Sequence, residues 1–339
     1  MTELPTFADI SASNRFYKFP SEVLEAYRRV VSLEKTLEDG KDDKKLLCVR
    51  ILGYLLLEAP SHEARLAVAR RVRSSETDDA LIDLGKWYFN HFILPFRVIR
   101  IYNEPWPTPY MGPFCESIED MSRVLTVETP MNRSQTTQNA LVRDGFRCVV
   151  TGLYDLFSVE NNAELESSFN AESQRSSGTD CASFLKNDPH QYLLSSTLWE
   201  IMDEFGYENV TEELRGEKTH RLENAITLSR NVHEEFNHLD LWLELTENEN
   251  VYRVIAIDPK HFNASLLRST VTCTTPDKEK LPLPSPSYVS IHAACAKVAQ
   301  LSGAASYITK VLDNVTNWES GFFAEDGSLS QAMYQAFRL

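Results

Sequence analysis

THRLENAITLSRNVHEEFNHLDLW, residues 219–242, is the stretch that decides the fold predicted for the middle of this chain. Its pattern predicts a loop that holds Asn224, then a short strand, then a helix capped by the Ser229 hydroxyl group. His233 lies early in that helix, beside an apolar stripe at helical spacing. The stripe consists of Val232, Phe236 and Leu239. This spacing of Asn and His is one that a metal-dependent nuclease can use. A metal site usually needs three or four ligands, so His233 alone is also typical of a packed or surface histidine.

A second motif lies upstream, in residues 140–152, which read ALVRDGFRCVVTG. Together with the downstream asparagine and histidine it resembles the fungal-type HNH nuclease domain, and the resemblance covers residues 137–260. The matching residues, in chain order, are Arg143, Asp144, Gly145, Cys148, Thr151, Gly152, Leu222, Glu223, Asn224, Leu228, His233 and Phe236. The resemblance implies a ββα-metal unit, so residues 145–152, 180–185 and 224–238 should converge.

The resemblance also implies roles for individual residues. His233 would be the metal ligand, Asn224 would brace the loop or orient the base, and both belong to the implied catalytic site. The cofactor would be one divalent cation, Mg, Mn or Zn, which stabilises the charge that develops on a scissile phosphate. Arg143 and Arg147 would contact DNA phosphates, or they form surface salt bridges at a helix end. Asp144 is expected to be a structural acceptor or cap.

One position departs from the family pattern. The segment that corresponds to the first histidine motif runs from Asp180 to Leu185, and Ser183 stands where the catalytic histidine would be. A serine hydroxyl group is no base near neutral pH, so Ser183 cannot activate water unaided. His190 lies farther along the chain and could replace that base only in a different local register. Otherwise Ser183 is a small strand residue, or its hydroxyl group donates to a neighbour.

The composition limits the kinds of partner. The formal net charge of −15 opposes non-specific adhesion to nucleic acid, so a nuclease built this way would need a local basic groove. The sequence does not begin with basic residues followed by an apolar run, so we predict no signal peptide. It also contains no apolar stretch long enough to predict a membrane span. We therefore expect an intracellular protein, cytoplasmic or nuclear, with no membrane partner. The six cysteines form no C-x-x-C pair and are expected to be free thiols.

The chain is predicted to contain three consecutive regions. Residues 1–115 show four amphipathic helical patterns and form a helical N-terminal region. Residues 116–260 hold the HNH nuclease-like domain, with a flexible, Ser-, Asn- and Glu-rich insertion at about 158–180. Residues 261–339 form a C-terminal helical extension, whose main helix is interrupted near Ser302-Gly303.

These patterns predict an α+β fold that is predominantly helical, with a ββα-metal unit between helical N- and C-terminal regions. The activity implied by the resemblance is metal-dependent hydrolysis of phosphodiester bonds, as in a hydrolase of the endonuclease class. Ser183 indicates that this activity is weakened or lost. The alternatives are a catalytically degenerate HNH fold that no longer cuts, and a protein-interaction scaffold in which the helical N-terminal region is the working part.

Overall fold

A computed structural model describes the fold of this chain. The described residues are 2–12, 19–38, 42–97, 114–127, 130, 132–171, 175–185, 192–214, 216–258 and 266–316. The α-helices, in chain order, are α1 (Phe7–Ala12), α2 (Ser21–Glu38), α3 (Asp43–Glu58), α4 (His62–Ser74), α5 (Asp78–Tyr88), α6 (Ile118–Leu125), α7 (Arg133–Arg143), α8 (Leu156–Glu160), α9 (Ala163–Ala171), α10 (Tyr192–Glu204), α11 (Glu208–Glu213), α12 (Arg230–Asn237), α13 (Pro286–Ser302) and α14 (Ala304–Thr316).

The strands are short and form three small sheets. They are β1 (Tyr154–Asp155), β2 (Ser176–Ser177), β3 (Thr179–Ser183), β4 (Ala225–Ser229), β5 (Leu241–Leu245), β6 (Val251–Ala256) and β7 (Thr270–Thr272). Strands β1 and β2 pair in parallel, β3 and β4 pair antiparallel, and β5, β6 and β7 form an antiparallel sheet in that order. The described chain is therefore an α+β fold in which helix predominates, as predicted.

Two compact units divide the chain, and each is assembled from segments that are separated in sequence. The first contains Met1–Arg97, Asn187–Glu212 and Ala294–Leu339, and the second contains Val98–Lys186 and Glu213–Ala293. This division differs from the three consecutive regions predicted above, because the segment that follows β3 joins the N-terminal helices. Helix α13 begins in the second unit and ends in the first.

The first unit is helical, and four of its helices, α2 to α5, correspond to the four predicted helical patterns, whereas α1 was not predicted. Helices α2, α3, α4 and α5 pack against one another. The Ser61 hydroxyl group caps α4 by accepting a hydrogen bond from the Ala64 N–H group (2.9 Å), and the Thr77 hydroxyl group caps α5 in the same way. After α5 the chain continues through a π-helical turn and a 3-10 turn that contains Pro95. Gly303, at φ +88°, separates α13 from α14 at the predicted interruption.

The second unit contains the β3–β4 pair, with α12 following β4 directly and α7 packed against both strands. Its core is apolar and comes from most of the elements of the unit. The buried core residues are Cys115, Met121, Leu125, Ala140, Leu141, Val142, Phe146, Tyr154, Val159, Leu165, Cys181, Leu222, Ala225 and Leu281. The burial of Cys181 and Ala225 on the two facing strands fixes which side of the pair turns toward this core.

The segment predicted to be a flexible insertion, residues 158–180, is largely regular where the structure describes it. Helix α9 buries Leu165, and the Phe169 ring packs edge-on against Tyr154 at 5.8 Å between centroids. The Asn162 side chain accepts a hydrogen bond from the Leu165 N–H group (2.9 Å), which satisfies the start of that helix. The polar composition of this segment does not indicate a helix. Two apolar residues and one polar cap are nevertheless sufficient to fix the short helix α9 on the core.

Two further predictions concern the whole described chain. All six cysteines are in the thiol form, as expected, and all six are buried. Among the described ranges, each helix is too short or too polar to cross a lipid bilayer.

Candidate functional site

The β3–β4 pair and helix α12 bring the segments of the candidate site together. The strands pair in the register Asp180 to Leu228 and Cys181 to Thr227. The Val149 N–H group donates to the Thr227 carbonyl group (3.0 Å), so the turn that follows α7 lies along the outer side of β4. The three segments predicted to converge therefore lie together, as a strand pair, a helix and an adjoining turn. Ser229 precedes α12 as predicted, but its hydroxyl group makes no capping hydrogen bond.

Asn224 joins the loop before β4 to the end of β3. Its side chain is fully buried. The amide oxygen accepts a hydrogen bond from the Leu185 N–H group (2.9 Å), and the amide nitrogen donates to the carbonyl groups of Leu185 (2.7 Å) and Thr219 (3.2 Å). The bracing role expected for Asn224 is consistent with these three hydrogen bonds, which tie the loop before β4 to the residues that follow β3.

His233 is buried on α12 and faces a carboxylate on β3. Its Nδ1 atom lies 3.2 Å from Oδ2 of Asp180, and both side chains are almost fully excluded from solvent. The same oxygen accepts a hydrogen bond from Nη2 of Arg133 at the start of α7 (3.0 Å). The other oxygen, Oδ1, accepts one from the Cys181 N–H group (2.8 Å). Asp180 therefore joins α7, β3 and α12 through a single buried side chain.

The charge of Asp180 is stabilised by these neighbours. Burial by itself raises the pKa of Asp180, but the contact with His233, together with Arg133 and the Cys181 N–H group, lowers this pKa to about 2. The carboxylate is therefore ionised in the folded protein at every pH of physiological interest.

This depressed pKa predicts a pH-dependent effect of replacing Asp180 with asparagine. The folded-state pKa, about 2, lies below the ordinary 3.8, so the stabilisation is present above that ordinary value and is lost as the pH falls through about 2. At neutral pH the substitution should lower the free energy of unfolding by about 2 kcal/mol, and the difference should shrink in acid. Urea unfolding of both proteins over a pH series measures this. A difference that does not change with pH would contradict it.

Of the two residues considered for the general base, Ser183 lies among the described residues and His190 does not. Ser183 is the last residue of β3, is half-buried and pairs with Ala225 of β4. Because side chains alternate along a strand, Ser183 lies on the face opposite to Asp180 and Ala182. The face of β3 that meets His233 therefore carries Asp180 and Ala182, and not Ser183. His190 lies outside the described residues.

Arg143 is not available to a phosphate, which corrects its predicted role. The side chain is completely buried, and its Nε and Nη2 atoms bind the Asp144 carboxylate at 2.8 and 3.1 Å. The guanidinium group also donates to the carbonyl groups of Leu222 (2.8 Å) and Ala225 (2.7 Å). Burial opposes the charge of Arg143, but Asp144 more than offsets this, so the pKa of Arg143 lies above its usual value. Asp144 also accepts a hydrogen bond from the Thr227 N–H group, which makes it the structural acceptor that was expected.

Arg147, unlike Arg143, is only partly buried and stacks on an aromatic ring. It is half-buried, and the carbon at the centre of its guanidinium group lies 3.6 Å from the centre of the Tyr154 ring, with a hydrogen bond to the Tyr154 hydroxyl group. The ring orients the guanidinium group without neutralising it, because a cation above an aromatic face keeps its charge.

Three further arginines surround the same short strands β1 and β2. The carbonyl group of Arg175, whose side chain is exposed, accepts a hydrogen bond from the Tyr154 N–H group (3.2 Å). Arg230 passes over Gly178, where its Nε atom lies 3.0 Å from the position that a Cβ atom would take. Arg268 is exposed and packs against Gly152, where any side chain would collide with the guanidinium group. We call Arg147, Arg175, Arg230 and Arg268 the arginine surface.

The described residues do not fit the divalent cation that the resemblance implies. Within the described ranges, no three His, Cys, Asp or Glu side chains come together in a way that could hold a metal ion. His233 is accompanied by one carboxylate, Asp180, which is already in contact with Arg133. The predicted role of His233 as a metal ligand therefore has one candidate partner where three or four ligands are usual.

Asp180 and Arg133 are the members of this cluster that sequence reasoning missed. Asp180 belongs to the aligned segment, yet its importance depends on the register of β3 with β4, which places it on the face toward α12. Arg133 lies ten positions before Arg143, the first of the matching residues. Its position as the first residue of α7, one helix length before Arg143, is the signal that could have identified it.

No protein-family model, curated protein or solved structure matches this chain.

Proposed function

We propose that the second unit contains an HNH nuclease-like domain that binds the phosphodiester backbone of DNA and has weakened or lost the ability to hydrolyse it. The observation that carries this proposal is the arrangement of β3, β4 and α12. It puts His233 on the helix, facing the Asp180 carboxylate on β3, and it puts Asn224 in the bracing loop at the other end of the same strand pair. The order of these groups along the chain follows the motif order of the resemblance.

Two observations support weak or absent hydrolysis. The resemblance puts Ser183 at the position of the general base, and a positioned base is typically worth on the order of 10²–10⁴-fold in rate. The Asp180 carboxylate beside His233 is shared with Arg133. We derive no hydrolytic step for this arrangement.

The arginine surface supports DNA as the partner. Four arginines lie around one pair of two-residue strands in a chain whose net charge is −15. Guanidinium groups bind phosphate oxygens in a bidentate way, and such contacts dominate the affinity of proteins for nucleic acid. The nearby carboxylate of Asp155 is buried and bonded to Ser158 and Thr179, so it does not offer its charge at the surface.

Binding is tested by fluorescence anisotropy with a labelled duplex DNA over a range of salt concentrations. The double substitution of Arg175 and Arg268 by glutamine should reduce the slope of log affinity against log salt by about 2, since each lost phosphate contact removes about 0.9. Arg123→Gln on α6 is the matched control, because its side chain is exposed and lies outside the arginine surface. Binding by the double variant that equals binding by the control would contradict the proposal.

Hydrolysis is tested on supercoiled plasmid with Mg²⁺ or Mn²⁺. We expect little or no nicking. Brisk cleavage that is abolished by His233→Ala would show an active nuclease and overturn the second half of the proposal. Brisk cleavage abolished by His190→Ala would show in addition that the general base has moved rather than disappeared. If the protein neither cuts nor binds DNA, the interaction scaffold becomes the better interpretation.

A further inference from the structure

The Arg133 guanidinium group reaches the Asp180 carboxylate, which faces His233. Arg133 is the first residue of α7, and the Asn132 side chain caps that helix by accepting a hydrogen bond from the Gln135 N–H group (3.0 Å). From this fixed start, Nη2 of Arg133 extends to Oδ2 of Asp180 (3.0 Å) and toward the Cys181 carbonyl group (3.5 Å). The guanidinium group therefore contacts two oxygen atoms of β3.

The two partners differ in exposure. The Arg133 side chain is 53% exposed, whereas the Asp180 side chain is 6% exposed. The positively charged guanidinium group of Arg133 thus contacts the buried Asp180 carboxylate from the solvent side, beside His233. A divalent cation bound from solvent would approach the carboxylate from the same side. Oxygen atoms from a carboxylate and a backbone carbonyl group are the donors that hard cations prefer.

We propose that the Arg133 guanidinium group takes the place of the divalent cation beside Asp180 and His233, so that this cluster is held together without metal. The proposal rests on the HNH-like assignment made above and deepens it by naming the resident cation. A guanidinium group remains charged at all accessible pH values and binds carboxylates strongly. It has no empty coordination position on which to bind and ionise water, so it supplies the structural part of the role of a metal without the catalytic part.

The test compares Mn²⁺ binding by the wild-type chain, Arg133→Ala and Arg133→Lys. Paramagnetic broadening of the amide NMR signals of Asp180, Cys181 and His233 reports binding at this cluster and needs no activity. Arg133→Ala should bind Mn²⁺ at these residues with a Kd lower by about tenfold or more, because a positive charge in direct contact with the ligand carboxylate has been removed. Arg133→Lys keeps the charge and should resemble the wild type.

Controls make the outcome specific. Adding Asp180→Asn to Arg133→Ala should abolish the broadening, and thermal unfolding establishes that each variant is folded. If Arg133→Ala fails to fold, Arg133→Gln removes the same charge while retaining a hydrogen-bond donor. Mn²⁺ binding by the wild type as tight as that of the neutral variant would overturn the proposal, and so would a folded neutral variant that gains none. DNA binding by the wild-type chain is scored separately, so failure of the proposed function and failure of this inference are distinguishable.

Discussion

Replacing Arg143 with methionine should lower the free energy of unfolding by about 3–5 kcal/mol, because breaking a buried ion pair leaves its partner charge unpaired in the interior. Methionine retains most of the volume of the side chain but none of its donors. The Asp144 carboxylate, 2% exposed, would lose both guanidinium contacts. Three carbonyl groups that now accept from Arg143 would also be left with fewer partners; they belong to Leu222, Ala225 and Pro282.

The measurement is urea-dependent amide exchange in β4, which reports the opening of the second unit itself. Arg123→Met is the matched control, since Arg123 is 70% exposed, and it should change stability by less than about 0.5 kcal/mol. Adding Asp144→Asn to Arg143→Met should recover part of the loss, because the charge left behind is neutralised. A loss below about 1 kcal/mol for Arg143→Met would show that water reaches Asp144 and that the pair is not truly buried.

Local sequence patterns were sufficient for helices α2 to α5 of the first unit and for the order of strand and helix around His233. Apolar spacing and caps such as Ser61 act over a few residues, so they can be recognised in the sequence directly. The break between α13 and α14 belongs to the same class, since Gly303 adopts a positive φ that side-chain-bearing residues rarely take. The bracing role of Asn224 is a prediction from the resemblance of its motif.

The surroundings of Arg143 and Asp180 could not be predicted in the same way. The carbonyl groups that fix Arg143 lie at Leu222, Ala225 and Pro282, far along the chain, and no local pattern distinguishes a buried arginine from a surface one. The contact between Asp180 and His233 depends on strand register, and a shift of one residue would have turned Asp180 to the other face. The division into two interleaved units likewise depends on contacts between distant segments.

Asn224→Ala should lower the free energy of unfolding by about 2–4 kcal/mol, because it removes three buried hydrogen bonds and leaves their partners unsatisfied at about 1–3 kcal/mol for each poorly solvated group. These partners are the N–H and carbonyl groups of Leu185 and the carbonyl group of Thr219. Asn224 is fully buried, so water replaces the lost amide only if the loop opens. Amide exchange at Leu185 should accelerate more than exchange within β3.

Asn224→Asp separates a structural brace from a catalytic one. An aspartate there keeps the oxygen that accepts from Leu185 but turns a donor toward two carbonyl groups into a second acceptor. Burial and these carbonyl oxygens should raise its folded-state pKa above the unfolded value. The variant should therefore be most stable below the unfolded pKa, where its protonated carboxyl group donates, and should lose stability as the pH rises through the folded pKa. If both variants are as stable as the wild type at neutral pH, the three hydrogen bonds do not brace the loop, and the orienting role that the resemblance implies for Asn224 becomes the better explanation.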